Sequence, residues 1–324
     1  MSRSRRVYVI VGLLAASAAG VTVGATALTA DRPEPGSAAK PRAGAPPLAL
    51  DLGVRVDPEA RALRRAQDLY ERGRRREAEA LFGRHSSAEA RIGLAFARWP
   101  TGTLDAVEAI ARERPGSALA RLHHGFVLFW LRRDAAAQTE WQAAARVQPD
   151  SASAVRANDL LHPDFAPGLP IFVPSFRPPA GLARLPPPRQ LAVLEARARR
   201  PDARARILYG VALQRLGRPL SARRQFEAAV LLAPADAEAL TAAAVGRFTK
   251  DAPARAFSRL GPLTRRFPRA ATVRFHLGLL LLWLARVDEA RRQLRSASAQ
   301  DPDGPVGAAA RTFLARLPAR TGTG

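Results

Sequence analysis

Beyond about residue 58, apolar and small residues fall at helical spacing along most of the chain, and the spacing itself recurs in register. Gly210, Ala244 and Gly278 stand 34 residues apart, and Ala222, Ala256 and Ala290 keep the same interval. Phe226, Leu260 and Leu294 follow it, as do Ala229, Leu263 and Ala297, and Pro234, Pro268 and Pro302. Five columns in one register predict paired antiparallel helices. The small residues let two helices approach, the large apolar ones fill the seam with the next pair, and the proline ends the second helix. A fourth copy stands upstream in Gly125, Leu128, Ala137, Trp141, Ala144 and Pro149. Degenerate copies cover 59–85, through Leu69, Gly73, Ala78 and Phe82, and 86–115, through Gly93, Phe96, Ala106 and Ile110. Residues 151–161 are expected to be the first helix of a further pair whose second helix is 189–200, which makes seven repeats, with 305–317 as a terminal cap.

The register resembles that of the tetratricopeptide repeat, which has a small residue at position 8, Ala at 20, a large apolar residue at 24, a small or apolar one at 27 and Pro at 32. The copy at 203–236 fits best, with Tyr209-Gly210, Leu213, Gly217, Ala222, Phe226, Ala229 and Pro234; the family's Trp at position 4 is absent throughout. The resemblance spans about 58–303 and implies an all-α, helix-turn-helix solenoid that binds other proteins and catalyses nothing. In such a solenoid the first helices line the concave surface. Here that face carries Leu122, Phe126, Phe129 and Trp130 in one repeat and Phe275, Leu279 and Trp283 in the last, a bulky apolar groove suited to a hydrophobic segment of a partner protein or peptide. Trp130 and Trp283 can equally be read as core or seam residues. The Lys and Asn by which chaperone-binding relatives hold a C-terminal carboxylate are replaced by apolar residues such as Leu122, Phe126, Phe275 and Leu279.

Polarity changes abruptly at the N-terminus. Arg3, Arg5 and Arg6 precede an uncharged, mainly apolar run from Val7 to Ala30, which reads as a signal-anchor or signal peptide. As a helix rising about 1.5 Å per residue, such a run spans a hydrocarbon core of about 30 Å. Ala25-Thr26-Ala27 also fits a signal-peptidase site, so anchor and cleaved leader both stay open. Either way residues 31 onward are expected outside the cytoplasm, on a single-pass cell-membrane protein or a secreted one.

The expected organisation is therefore 1–30 as signal-anchor or signal peptide, 31–57 as Pro-rich linker, 58–161 as N-terminal repeats, 162–188 as Pro-rich insertion, 189–317 as C-terminal repeats and cap, and 318–324 as a disordered tail. From Asp31 to Pro47 no apolar period survives, and a disordered or extended spacer is expected. The insertion is too rich in proline for a helix, yet it carries Leu169, Ile171, Phe172, Val173 and Phe176, more apolar mass than a free linker needs. Three readings stand for it: a loop along the outside of the solenoid, a self-ligand in which Ile171, Phe172 and Phe176 lie extended in the protein's own groove, or a docking segment for another protein.

Composition narrows the chemistry. There is no cysteine, so disulfides, thiolate metal sites and a cysteine nucleophile are excluded. None of the five histidines stands in metal-ligand spacing with a second histidine or acid, and no phosphate-cradling loop or nucleophile elbow occurs. No catalytic residue, metal or cofactor is expected. The net charge of +23 is carried by arginine, Lys40 and Lys250 being the only lysines. It fits the coding habit of a GC-rich genome, or attraction to anionic lipids, envelope polymers or nucleic acid. Export argues against nucleic acid. The expected function is a membrane-tethered, extracytoplasmic protein-interaction scaffold, with a cell-envelope or cytochrome-maturation assembly factor as the alternative reading.

Overall fold

A computed structural model describes residues 41–317, and the expected N-terminal membrane segment and C-terminal tail lie outside them. Among the described residues there are fifteen α-helices and no strand, and no helix is long and apolar enough to cross a membrane. They divide into two compact units, one ending at Pro163 and the other beginning at Asp164.

The first unit holds three helical hairpins and a closing helix. The hairpins are α1 (Pro58–Glu71) with α2 (Arg75–Phe82), α3 (Ala88–Ala97) with α4 (Thr103–Glu113), and α5 (Ala118–Trp130) with α6 (Asp134–Val147); α7 (Ala152–Leu161) packs on α6 and α5. Each hairpin opens with a side-chain cap: Asp57 accepts from the amide of Ala60, Ser87 from Ala90 and Ser117 from Ala120, which satisfies amides that the first turn leaves without helical partners. Ser151 does the same for α7 through Ala154.

The second unit follows the same plan with one helix added in front. A 3-10 turn (Leu182–Arg184) and α8 (Pro187–Ala198) precede the hairpins α9 (Ala203–Arg215) with α10 (Pro219–Leu232), α11 (Ala237–Val245) with α12 (Ala254–Arg266), and α13 (Ala271–Trp283) with α14 (Val287–Gln300); α15 (Pro305–Arg316) closes the stack on α14. Pro187 and Pro188 sit in the first turn of α8, where no amide donor is needed, so this helix starts inside the stretch expected to be insertion.

Residues 151–161 and 189–200 were expected to form one repeat, and the structure corrects this. α7 ends the first unit against α6, while α8 packs on α9 in the second. The array is two three-hairpin blocks, each with its own closing helix, rather than seven repeats in a row. Pro163, two residues beyond the last residue of α7, helps to stop the helical run there.

The seams follow the sequence register. Ala78, Phe82, Ala137, Ala222, Phe226, Ala256, Leu260, Ala290 and Leu294 are all fully buried. At Gly125 and Gly210 the helices come so close that a Cβ would meet the rings of Trp141 and Phe226 respectively, so only glycine fits. The turn between α1 and α2 uses Gly73 and that between α9 and α10 uses Gly217, both left-handed; Arg132 and Ala285 take the same conformation in the α5–α6 and α13–α14 turns without being glycine.

Candidate functional site

Each unit has a groove lined by the first helices of its hairpins, and in each an extended stretch of the unit's own N-terminal chain runs along it. In the first unit this strap is 42–50, which belongs to the region expected to be a spacer. In the second it is 168–176, from the insertion.

The first strap is held mainly through its backbone. The amide of Arg42 donates to the carbonyl of Trp130, and its guanidinium donates to the carbonyl of Phe129, pairs with both carboxylate oxygens of Asp134 at 2.9 and 3.0 Å and lies 3.6 Å above the Phe129 ring. Trp99 Nε1 donates to the carbonyl of Gly44 at 3.1 Å and Tyr70 Oη to that of Pro46 at 2.5 Å. Leu48 is fully buried, the next amide, Ala49, donates to His123 Nε2 at 3.2 Å, and Leu50 donates to Gln67 Oε1 at 3.3 Å.

The second strap repeats this arrangement. Gln214 Nε2 donates to the carbonyl of Pro170 at 3.3 Å, and its Oε1 accepts from the amide of Phe172 at 2.9 Å. Phe172 is fully buried, stacked on His276 with ring centroids 4.3 Å apart and tilted against Phe226 at 5.9 Å. The next amide, Val173, donates to His276 Nε2 at 2.9 Å. Ser175 then gives its amide and its hydroxyl to the two oxygens of Glu238, at 2.6 and 2.8 Å. Burial pushes the Glu238 carboxyl above its ordinary range, against those hydrogen bonds.

The two straps share a rule: a left-handed glycine (Gly44, Gly168), one residue, a buried proline with an engaged carbonyl (Pro46, Pro170), one residue, a fully buried large apolar side chain (Leu48, Phe172), then an amide given to a buried histidine (Ala49, Val173). The histidines also correspond. Both lie on 13-residue helices, α5 and α13, that share Arg121 and Arg274, His123 and His276, Gly125 and Gly278, and Trp130 and Trp283 in step. His123 Nδ1 lies 2.8 Å from the carbonyl of Leu119, and His276 Nδ1 lies 2.7 Å from that of Thr272. A carbonyl can only accept, so Nδ1 carries the proton and leaves Nε2 as the bare acceptor that the strap amide requires. Burial keeps both rings neutral, lowering the pKa of His123 to about 4 and that of His276 to about 3.

The residues expected to line the partner groove are largely covered. Leu122, Phe126, Phe275, Leu279 and Trp283 are buried, and Phe129 and Trp130 are half-buried. Phe126 packs edge-on against Trp130 and Trp141, Phe129 lies under Arg42, and Phe275 meets Phe313 of the closing helix. So large an apolar face is costly in water, and straps and seams cover it. Ile171 and Phe176 are half-buried beside Phe172, with Arg204 5.3 Å over the Phe176 ring. The sequence reading missed the first strap and the two histidine acceptors. The signal was present in Gly44-x-Pro46-x-Leu48 returning as Gly168-x-Pro170-x-Phe172, and in the matched places of His123 and His276. Among the described residues no group of three or more His, Asp or Glu could hold a metal ion.

No protein-family model matches the chain, and no curated protein matches it. Among solved structures it is similar to YrrB, described as a TPR protein with an unusual peptide-binding site, at 16% identity over 64% of this chain and 98% of that one, with a TM-score of 0.31. A tetratricopeptide repeat protein from Parabacteroides merdae is similar at 13% identity over 80% of this chain and 98% of that one (TM-score 0.33), and yeast Tom70 at 14% over 97% and 55% (TM-score 0.32). The 34-residue register and the observed hairpins themselves give the chain a tetratricopeptide-like fold.

Proposed function

We propose that this protein is a non-enzymatic interaction scaffold, held at a membrane by its N-terminal segment with residues 31 onward outside the cytoplasm, whose grooves receive extended segments of polypeptide. The observation that carries the reading is the backbone recognition in both grooves: a fixed histidine nitrogen accepts a main-chain amide next to a pocket filled by one large apolar side chain. Such a site selects an extended peptide and ignores most side-chain identities. The tether rests on the arginines ahead of Val7 and the uncharged run to Ala30.

Two experiments test it. A random-peptide phage library panned against the full chain in mild detergent is expected to enrich apolar, extended, proline-containing sequences; enrichment of nothing above background overturns the scaffold reading. A reporter active only in the cytoplasm, fused after Gly324, is expected to be silent, and full reporter activity overturns the topology.

A further inference from the structure

We infer that the shared rule of the two straps is the recognition sequence for this protein's partner: Gly, any residue, Pro, any residue, Leu or Phe, then any residue except proline. A partner segment carrying it enters the second unit's groove by displacing residues 168–176. The inference rests on the scaffold reading above and adds the partner's chemistry and its competition with a segment of the same chain.

Two unlike sequences, Gly-Ala-Pro-Pro-Leu-Ala and Gly-Leu-Pro-Ile-Phe-Val, meet equivalent groove atoms. What they share is therefore what a groove of this kind reads. The left-handed glycine sets the entry, the buried proline is already in extended geometry and presents its carbonyl to a donor at the same helical position (Tyr70 or Gln214), and the apolar side chain fills the pocket. The following residue must keep its N–H, because a buried histidine Nε2 left without a donor is costly.

The second strap, held at its far end through Ser175 and Glu238, is the one that opens from its entry. The first strap is clamped at its entry by the Arg42–Asp134 ion pair and by the Arg42 amide. At the corresponding places the second unit has Ala166, two residues before the left-handed glycine, and Val287, at the first position of α14, so that ion pair has no counterpart. Occupation by a tethered copy multiplies the affinity for a free ligand by the fraction of groove that is open at any moment, so a nearly always closed groove binds weakly.

The probe is a fluorescein-labelled peptide with the sequence of residues 166–176, titrated by anisotropy into the full chain and into its Val173→Pro variant, which weakens the strap while leaving the groove helices unchanged. The variant is expected to bind at least tenfold more tightly than the wild type, and a peptide with Pro in place of Val173 at least tenfold more weakly than the parent. Equal affinities of the two proteins, or of the two peptides, overturn the inference. A second arm needs no variant: saturating peptide is expected to speed hydrogen exchange of the wild-type Val173 amide at least tenfold, and unchanged protection overturns displacement. A scrambled peptide that binds as well as the parent sinks the recognition sequence and leaves the scaffold standing. Failure of every library peptide sinks the scaffold and this inference together.

Discussion

The amide of Val173 lies 2.9 Å from Nε2 of His276, whose other nitrogen is committed to the carbonyl of Thr272. The ring can hold the strap only while neutral, and the same is true of His123 beneath Ala49. Folded pKa values of about 3 and about 4 lie below the roughly 6.5 of an unfolded histidine, so between these limits the unfolded chain binds more protons. Stability from these rings is complete above about pH 6.5 and is lost as pH falls, by roughly 1.4 kcal/mol per pH unit for each ring within its window. The melting temperature is expected to drop between pH 7 and pH 5, and the drop to shrink in a His123→Gln, His276→Gln double variant. Equal drops in both proteins would mean that other groups set the slope.

Ala222 is fully buried in the α9–α10 hairpin. Ala222→Trp is expected to overpack it and cost about 1–3 kcal/mol or more, measured by urea unfolding. Leu231 on the same helix is 84% exposed, so Leu231→Trp is the matched control and is expected to leave stability within about 0.5 kcal/mol.

Ala285 has φ of +56° in the α13–α14 turn, at the place where Gly217 serves the α9–α10 turn. A left-handed alanine costs about 1–2 kcal/mol; glycine removes that strain, but its greater unfolded freedom offsets part of the gain. Ala285→Gly is therefore expected to stabilise by about 0.5–1 kcal/mol in thermal or urea unfolding. A loss of stability would contradict the strain.

Arg42 joins the first strap to Asp134 and Phe129. Its pair is partly exposed, so Arg42→Ala is expected to cost only about 1 kcal/mol globally. It should nevertheless raise hydrogen exchange at Ala49 well before the helices α1–α6 are affected. Exchange that rises equally in strap and helices would show that the strap has no opening of its own.

The helices were legible where side chains repeat in register. Ala222, Phe226, Ala256 and Leu260 mark seams because small and large residues alternate at one interval, and the structure buries all four. The end of the first unit was not legible, because α7 carries the same small-residue pattern in Ala154 and Ala157 whether it opens a repeat or closes a stack. The straps were harder still. An extended segment has no helical period, so Pro46 and Leu48 look like linker, and only the position of His123, far away in sequence, turns them into a packed layer. Trp130 and Trp283 stay open in the sequence between groove and seam, because spacing fixes their helix face but not their cover.

The straps also bear on synthesis. Ala49 precedes its acceptor His123 by 74 residues, and Val173 precedes His276 by 103. A ribosome delivers each strap before the histidine that will receive its amide, so Leu48 and Phe172 lack that part of their cover throughout the interval. Contacts of such sequence separation form late. Gln67 and Tyr70, or Gln214 and Phe226, are made early enough to meet the strap first, but a chain arrested before α5 or α13 leaves it without its histidine acceptor and within reach of a chaperone or a protease.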